Sequence, residues 1–160
     1  MFPEPDEGNG FLAEHVADLL RSHHELTGSH LITPRGAVSQ VARLAYAAPV
    51  VLLSHDGADD PLLTYGNLAA QELFAMVWGK LVGTPSRETA EAPERAERKE
   101  LLRRVAENGF IDDYSGVRIA ADGRRFVIRN ATVWNVSDAN GVRTGQAAAF
   151  SQWEPLDGPE

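Results

Sequence analysis

From Phe110 to Trp153 the chain reads FIDDYSGVRIAADGRRFVIRNATVWNVSDANGVRTGQAAAFSQW. This is three strand-like runs separated by two turn signals. Ile111 to Ala120 leads into Ala121-Asp122-Gly123-Arg124, Arg125 to Val136 leads into Ser137-Asp138-Ala139-Asn140-Gly141, and Val142 to Trp153 follows. Asp-Gly and Asn-Gly accept the positive φ of tight hairpin turns, so the stretch predicts an antiparallel meander. Helical patterns precede the meander and do not interrupt it, which points to an α+β domain.

Working outward, 160 residues at 43% hydrophobic suffice for one domain with one core. A formal charge of −8 and a pI near 5.1 oppose binding to nucleic acid or an anionic membrane surface. No apolar run approaches the roughly 20 residues of a membrane span. The acidic start, Met1 to Glu7, lacks the features of a signal peptide, so the expected location is cytoplasmic. The chain has no cysteine, which removes disulfides, thiol catalysis and thiolate metal sites.

Residues 1–10, rich in Pro, Gly and acid, are expected to form a disordered arm, and 155–160 a C-terminal tail. Residues 11–48 form a helical extension. Phe11, Leu12, Val16, Leu19 and Leu20 make an apolar stripe that fades by Gly28, and Val38, Val41, Ala42 and Ala45 mark a second helix. Residues 49–154 hold the rest. Val50 to Ser54 and Leu62 to Tyr65 are strands, and Asn67 caps a helix over Leu68 to Met76. A short turn of helix spans Val77 to Val82, and a charged helix runs from Pro93 to Asn108, closed by Gly109. Five strands result. The Arg95, Arg98, Lys99, Arg103, Arg104 series alternates with glutamates and reads as a solvated helix face.

Several segments resemble the MEKHLA family, a PAS-like domain found alone in bacteria and at the end of plant class III homeodomain-leucine zipper proteins. They are Tyr65-Gly66-Asn67-Leu68-Ala69-Ala70, Trp78, Thr84-Pro85-Ser86-Arg87, Asp112 to Ile119, Gly123-Arg124-Arg125-Phe126, Ala131 to Asn135 and Gly145-Gln146-Ala147-Ala148. The resemblance spans roughly Phe11 to Trp153 and is similar to the stand-alone bacterial form. It implies a PAS-like five-stranded antiparallel sheet with helices on one face, and a sensory or regulatory role. It supplies no agreed ligand or catalytic residue.

A symmetric turn at Asp122-Gly123 would set Ile119 opposite Phe126, Val117 opposite Ile128, Ser115 opposite Asn130, Asp113 opposite Thr132 and Ile111 opposite Trp134. All ten would share one face, taken as the inner one because its ends are apolar. Asp113, Ser115, Asn130 and Thr132 would form a polar square within it, beside Ala147 and Ala149. Trp78 and Trp134 would line the space. Such a square is either a satisfied structural network or a ligand pocket, and an odd-length loop or a bulge would move it to the other face.

Without cysteine no cysteinyl-flavin adduct can form, which leaves noncovalent flavin as the open pigment. Haem is disfavoured because no histidine lies between Thr84 and Gly109. His15 and His23 stand about 12 Å apart along a helix, too far to share a metal, and read as packed residues or a pH-sensitive contact. Walker, nucleophile-elbow and zincin motifs are missing. The reading is a sensor that binds a small ligand or a partner protein and passes its signal to a separate output protein. A homodimer through the N-terminal stripe accompanies that reading. The alternatives are a small enzyme with Asp113 as general base in a semi-dry pocket, and a ligand-free adaptor.

Overall fold

The computed structural model describes residues 2–156 of the chain; Met1 of the arm and residues 157–160 of the tail lie outside the described residues. The helical extension is α1 (Ala13–Thr27) and α2 (Val38–Ala47). Gly28, at φ 79°, closes α1 by returning its N–H to the His24 carbonyl. β1 (Val51–Asp56) and β2 (Leu63–Gly66) follow, then the short helices α3 (Leu68–Leu73) and α4 (Trp78–Leu81) and the long α5 (Ala92–Asn108). Fully buried Asn67 begins α3 as the sequence requires. Its side-chain oxygen accepts from the N–H groups of Ala70 and Leu52, and its amide donates to the carbonyls of Ala45 and Val50. One side chain thus caps a helix and ties α2 to β1.

The meander is β3 (Phe110–Ile119), β4 (Arg125–Ser137), β5 (Arg143–Phe150) and β6 (Gln152–Pro155). Strand order is β2-β1-β5-β4-β3, antiparallel throughout, with β6 also on β4. β5 and β6 are one course of chain along the same edge of β4. Thr132 pairs with Ala149 and Arg129 with Gln152, and the break falls at Ser151. The single strand expected over Val142 to Trp153 is therefore present but bent in two.

Both faces of the sheet are covered. α3, α4 and α5 lie over the inner face. On the outer face α1 crosses β4, where the Trp134 indole N–H donates to the Leu19 carbonyl at 3.1 Å and Ser22 bonds the Ser137 backbone. Val16 and Leu19, from the apolar stripe, are buried by this contact. The centre of the stripe is thus packed within one chain, against the outer side of its own sheet, while Phe11, Leu12 and Leu20 are partly buried. Residues 2–10 lie alongside: the Trp78 indole donates to the Phe2 carbonyl, and the Phe2 ring sits 4.6 Å from that of His15.

The face assignment made from a symmetric first turn does not hold, for two separate reasons. The loop is a three-residue one. The Gly123 N–H donates to the Ala120 carbonyl, the Ala120 N–H donates to the Arg124 carbonyl, and Gly123 takes φ 89°. Ile119 therefore pairs with Arg125 and Arg118 with Phe126, a slip of one residue that exchanges the faces of β3. Further along, Asn130 adopts φ 53° at a register shift opposite Ser115, and this bulge exchanges the faces of β4 beyond it. Phe126 and Ile128 point inward before the bulge, Val133 after it, while Trp134 and Val136 face outward. The second hairpin does keep its expected pairs, Trp134 with Ala147 and Thr132 with Ala149.

A chamber under α5 and its basic mouth

The two face exchanges decide which residues meet inside. Asp113, Ser115 and Asn130 are exposed, and Thr132 is half-buried. Asn130 reaches along the surface to the Gln152 side chain at 2.9 Å. Trp78 and Trp134 are buried, but their indole N–H groups are spent on the Phe2 and Leu19 carbonyls. None of the six residues singled out from sequence lines the inner space, and the polar square is not formed. Asp113 has no dry surroundings in which to act as a base.

What fills the inner face instead is the complementary set. β3 contributes Tyr114 and Arg118, both placed on the outer side by the symmetric-turn reading. β5 contributes Gln146, β1 contributes Leu53 and His55, and α5 contributes Arg98, Leu101 and Leu102. The turn of 3₁₀ helix at Ser86–Thr89 closes one side with Ser86 and Thr89, and Phe74, Ile128, Val133 and Phe150 supply an apolar floor. The volume of this space is about 70 Å³.

Arg98 is the largest departure from expectation. It belongs to the charge series read as a solvated face, yet it is only 6% exposed. Its guanidinium donates to Ser86 Oγ, and among the described residues it has no carboxylate partner. Burial, and then the nearby Arg118 charge, pull its pKa down to about 10, so it remains a cation at neutral pH. Arg118, 8% exposed, is also without a carboxylate. It donates to the Tyr114 hydroxyl at 2.8 Å and to the Val117 carbonyl, and its Cζ lies 5.3 Å from the Tyr114 ring centroid.

Gln146 donates to the Leu102 carbonyl and to Asn135, fastening β5 to α5. His55 donates through Nδ1 to the Asp56 carbonyl at 2.8 Å, since a carbonyl only accepts. Burial lowers its pKa, so the ring is neutral and Nε2 presents a lone pair. That atom is buried and has no protein partner.

His55, Arg98, Leu102 and Gln146 also belong to a second, open cleft of about 620 Å³ running over Asp56 to Pro61 and the exposed side of α5. They are the threshold between outside and inside. In this cleft Arg87 pairs with Asp60 at 3.1 Å, and Arg103 pairs with Glu100 and Glu107. Arg95, Lys99 and Arg143 have no ion pair among the described residues, and the carboxylates lining the cleft are Asp56, Asp59 and the Arg87-paired Asp60. The mouth is thus basic in a chain whose formal charge is −8.

Flavin does not fit this interior. Sites that bury a ligand of that size occupy about 300–1,000 Å³, and here two guanidinium groups stand in the space. Haem is larger still, and the one chamber histidine is on β1. Among the described residues no group of three or more His, Asp or Glu is arranged to hold a metal ion, and no helix is long and apolar enough to cross a membrane.

Neither residue of the threshold that matters most was found from sequence. Arg98 is hidden in a series of alternating charges, and Gln146 sits in a small-residue strand. A signal for Arg98 did exist: it lies three residues before Leu101 and seven before Val105, on the one apolar edge of α5.

Among solved structures, the fold is similar to the PAS domain of a protein from Colwellia psychrerythraea, at 13% identity and TM-score 0.61, covering 74% of this chain and 96% of that one. It is also similar to an RNA-binding Light-Oxygen-Voltage receptor, at 21% and 0.58, covering 82% of this chain and 36% of that one. A third is the Cys71Val variant of the fungal photoreceptor VVD, at 17% and 0.53, covering 64% and 76%. No curated protein matches. The MEKHLA domain model matches residues 13–155, nearly the whole described chain. An antiparallel PAS-like sheet, with its α1 helix on the outer face, is therefore that of a chain belonging to the MEKHLA domain family.

Proposed function

We propose that this protein is a small-ligand sensor whose binding site is the chamber beneath α5. One observation carries the reading: a largely apolar space holds a polar atom that the chain itself leaves unpartnered, the His55 Nε2 lone pair, beside two buried arginines that are hydrogen-bonded but not ion-paired among the described residues. Buried polar groups in folded proteins almost always have partners, so a small molecule is the natural complement. The fold of sensory PAS and Light-Oxygen-Voltage domains supports the same reading.

Binding acts on α5, because Arg98 on its underside and Leu102, bonded to Gln146, both belong to the site. The change is then presented to a separate output protein by the exposed face of that helix. A ligand favours whichever position of α5 it holds better, and by no more than that difference in affinity. A homodimer uses the α1–α2 side, where Val38 and Leu44 are exposed, since Val16 and Leu19 of the α1 stripe are already buried. Native mass spectrometry of freshly purified protein, with thermal shift against small metabolites, tests the sensor. A retained mass or a rise in Tm is expected; a bare chain that nothing stabilises would remove the reading.

A further inference from the structure

We infer that the ligand is a short-chain carboxylate, held head-first by Arg98 and Arg118 with its hydrocarbon end against the apolar floor. This rests on the chamber being a ligand site at all. Two guanidinium groups inside one small space, neither ion-paired among the described residues, are the feature to be explained; Asp60, whose charge reaches Arg98, is itself paired with Arg87. A buried cation without a counter-charge is costly, and the pair also repel each other. An anion between them relieves both penalties at once.

The unmet hydrogen-bonding capacity is large. A guanidinium has five N–H donors. Those of Arg98 reach only Ser86 Oγ, and those of Arg118 only the Tyr114 hydroxyl and the Val117 carbonyl. Planar forks of this kind match the two oxygens of a carboxylate. The basic mouth formed by Arg95, Lys99 and Arg143 raises the local concentration of anions at the entrance.

Shape separates a carboxylate from a phosphate. Phosphate is polar on every side, whereas Phe74, Ile128, Val133 and Phe150 offer it nothing. A carboxylate with a short tail meets guanidinium at one end and hydrocarbon at the other. Size sets the length: at about 10–15 Å³ for each water-sized group, 70 Å³ admits on the order of five heavy atoms, the scale of propionate or butyrate.

The test is calorimetric titration of the full chain with propionate, butyrate, propionamide and inorganic phosphate. Propionate or butyrate should bind while propionamide, alike in shape but uncharged, and phosphate should not. Arg98→Met and Arg118→Met should each weaken carboxylate binding roughly thirtyfold or more, while Arg104→Met on the exposed side of α5 should not.

A second readout separates a binding role from a structural one. Arg98→Met should raise the Tm of the ligand-free protein, because an uncompensated buried charge is replaced by hydrocarbon. A lowered Tm would mark Arg98 as a structural strut and overturn the inference. Binding of propionamide as tightly as propionate, or of phosphate in place of both, would overturn the carboxylate and leave the sensor standing. A chamber that takes none of the four probes, in a protein that also retains no ligand and responds to no metabolite, would remove both.

Discussion

Gly116 shows how one missing side chain shapes the site. It lies on β3 between Tyr114 and Arg118, on the face that the turn at Gly123 directs inward. A Cβ built there would overlap the Tyr114 hydroxyl, so the ring can fold along the strand towards Arg118 only because position 116 is bare. Gly116→Ala should therefore push Tyr114 away from Arg118 and cost about 1–3 kcal/mol of stability, the usual penalty for overpacking. Urea unfolding measures it. Combining the change with Tyr114→Leu should recover part of the loss, since the overlapping ring is then gone. At this scale the sequence is readable for caps and glycines, as Asn67 and Gly28 show. It is not readable for Asn130, whose positive φ is a property of the strand around it and not of the residue type alone.

Among the elements, α1 carries a pH dependence. His15 is enclosed by the sheet and the arm, with Nε2 3.1 Å from Ser54 Oγ and the Phe2 ring against it. Burial lowers its pKa to about 4 against an ordinary 6.5, with Asp18 opposing weakly. The folded state therefore refuses a proton that the unfolded chain accepts. Stability is unaffected above pH 6.5 and is lost as pH falls from there towards 4, by roughly 3 kcal/mol in full. His23 and His55, also lowered by burial, act in the same direction. Denaturation midpoints at pH 7.5 and 5.0 should differ clearly in the native chain and less in His15→Gln.

The elements themselves were largely visible in the sequence. The helices followed from their apolar spacing, and the hairpins from Asp122-Gly123 and Asn140-Gly141. The face each strand shows was not visible, because Asp-Gly suits a two-residue turn and a three-residue loop equally well. A single-residue difference there sends Tyr114 and Arg118 inward in place of Asp113 and Ser115. The polar and apolar residues of β3 and β4 are mixed on both faces, so hydrophobicity could not arbitrate.

For the whole molecule, the sheet is a shared layer. Leu52, Trp134 and Ala149 on its outer face are each at most 4% exposed, and α1, with α2 packed on it, covers β4 on that face. A chain beginning at residue 49 would expose this surface, at about 25 cal/mol for each Å² of apolar area. Such a truncation should lose its cooperative thermal transition and aggregate, whereas the intact chain should unfold in one step by calorimetry and by circular dichroism alike. That outcome would make the helical extension and the sheet one folding unit, although their sequences read as separate segments.

The underside of α5 has a consequence for how tightly that helix is fastened. Its seat includes a guanidinium where a bundle helix would place hydrocarbon, so the backbone amides of residues 92–108 should take up deuterium well before those of β4 and β5. Any anion that settles against Arg98 must slow this uptake, and by an amount fixed by its free concentration and affinity. The exchange rate of one helix then becomes a gauge of how much of that anion surrounds the protein.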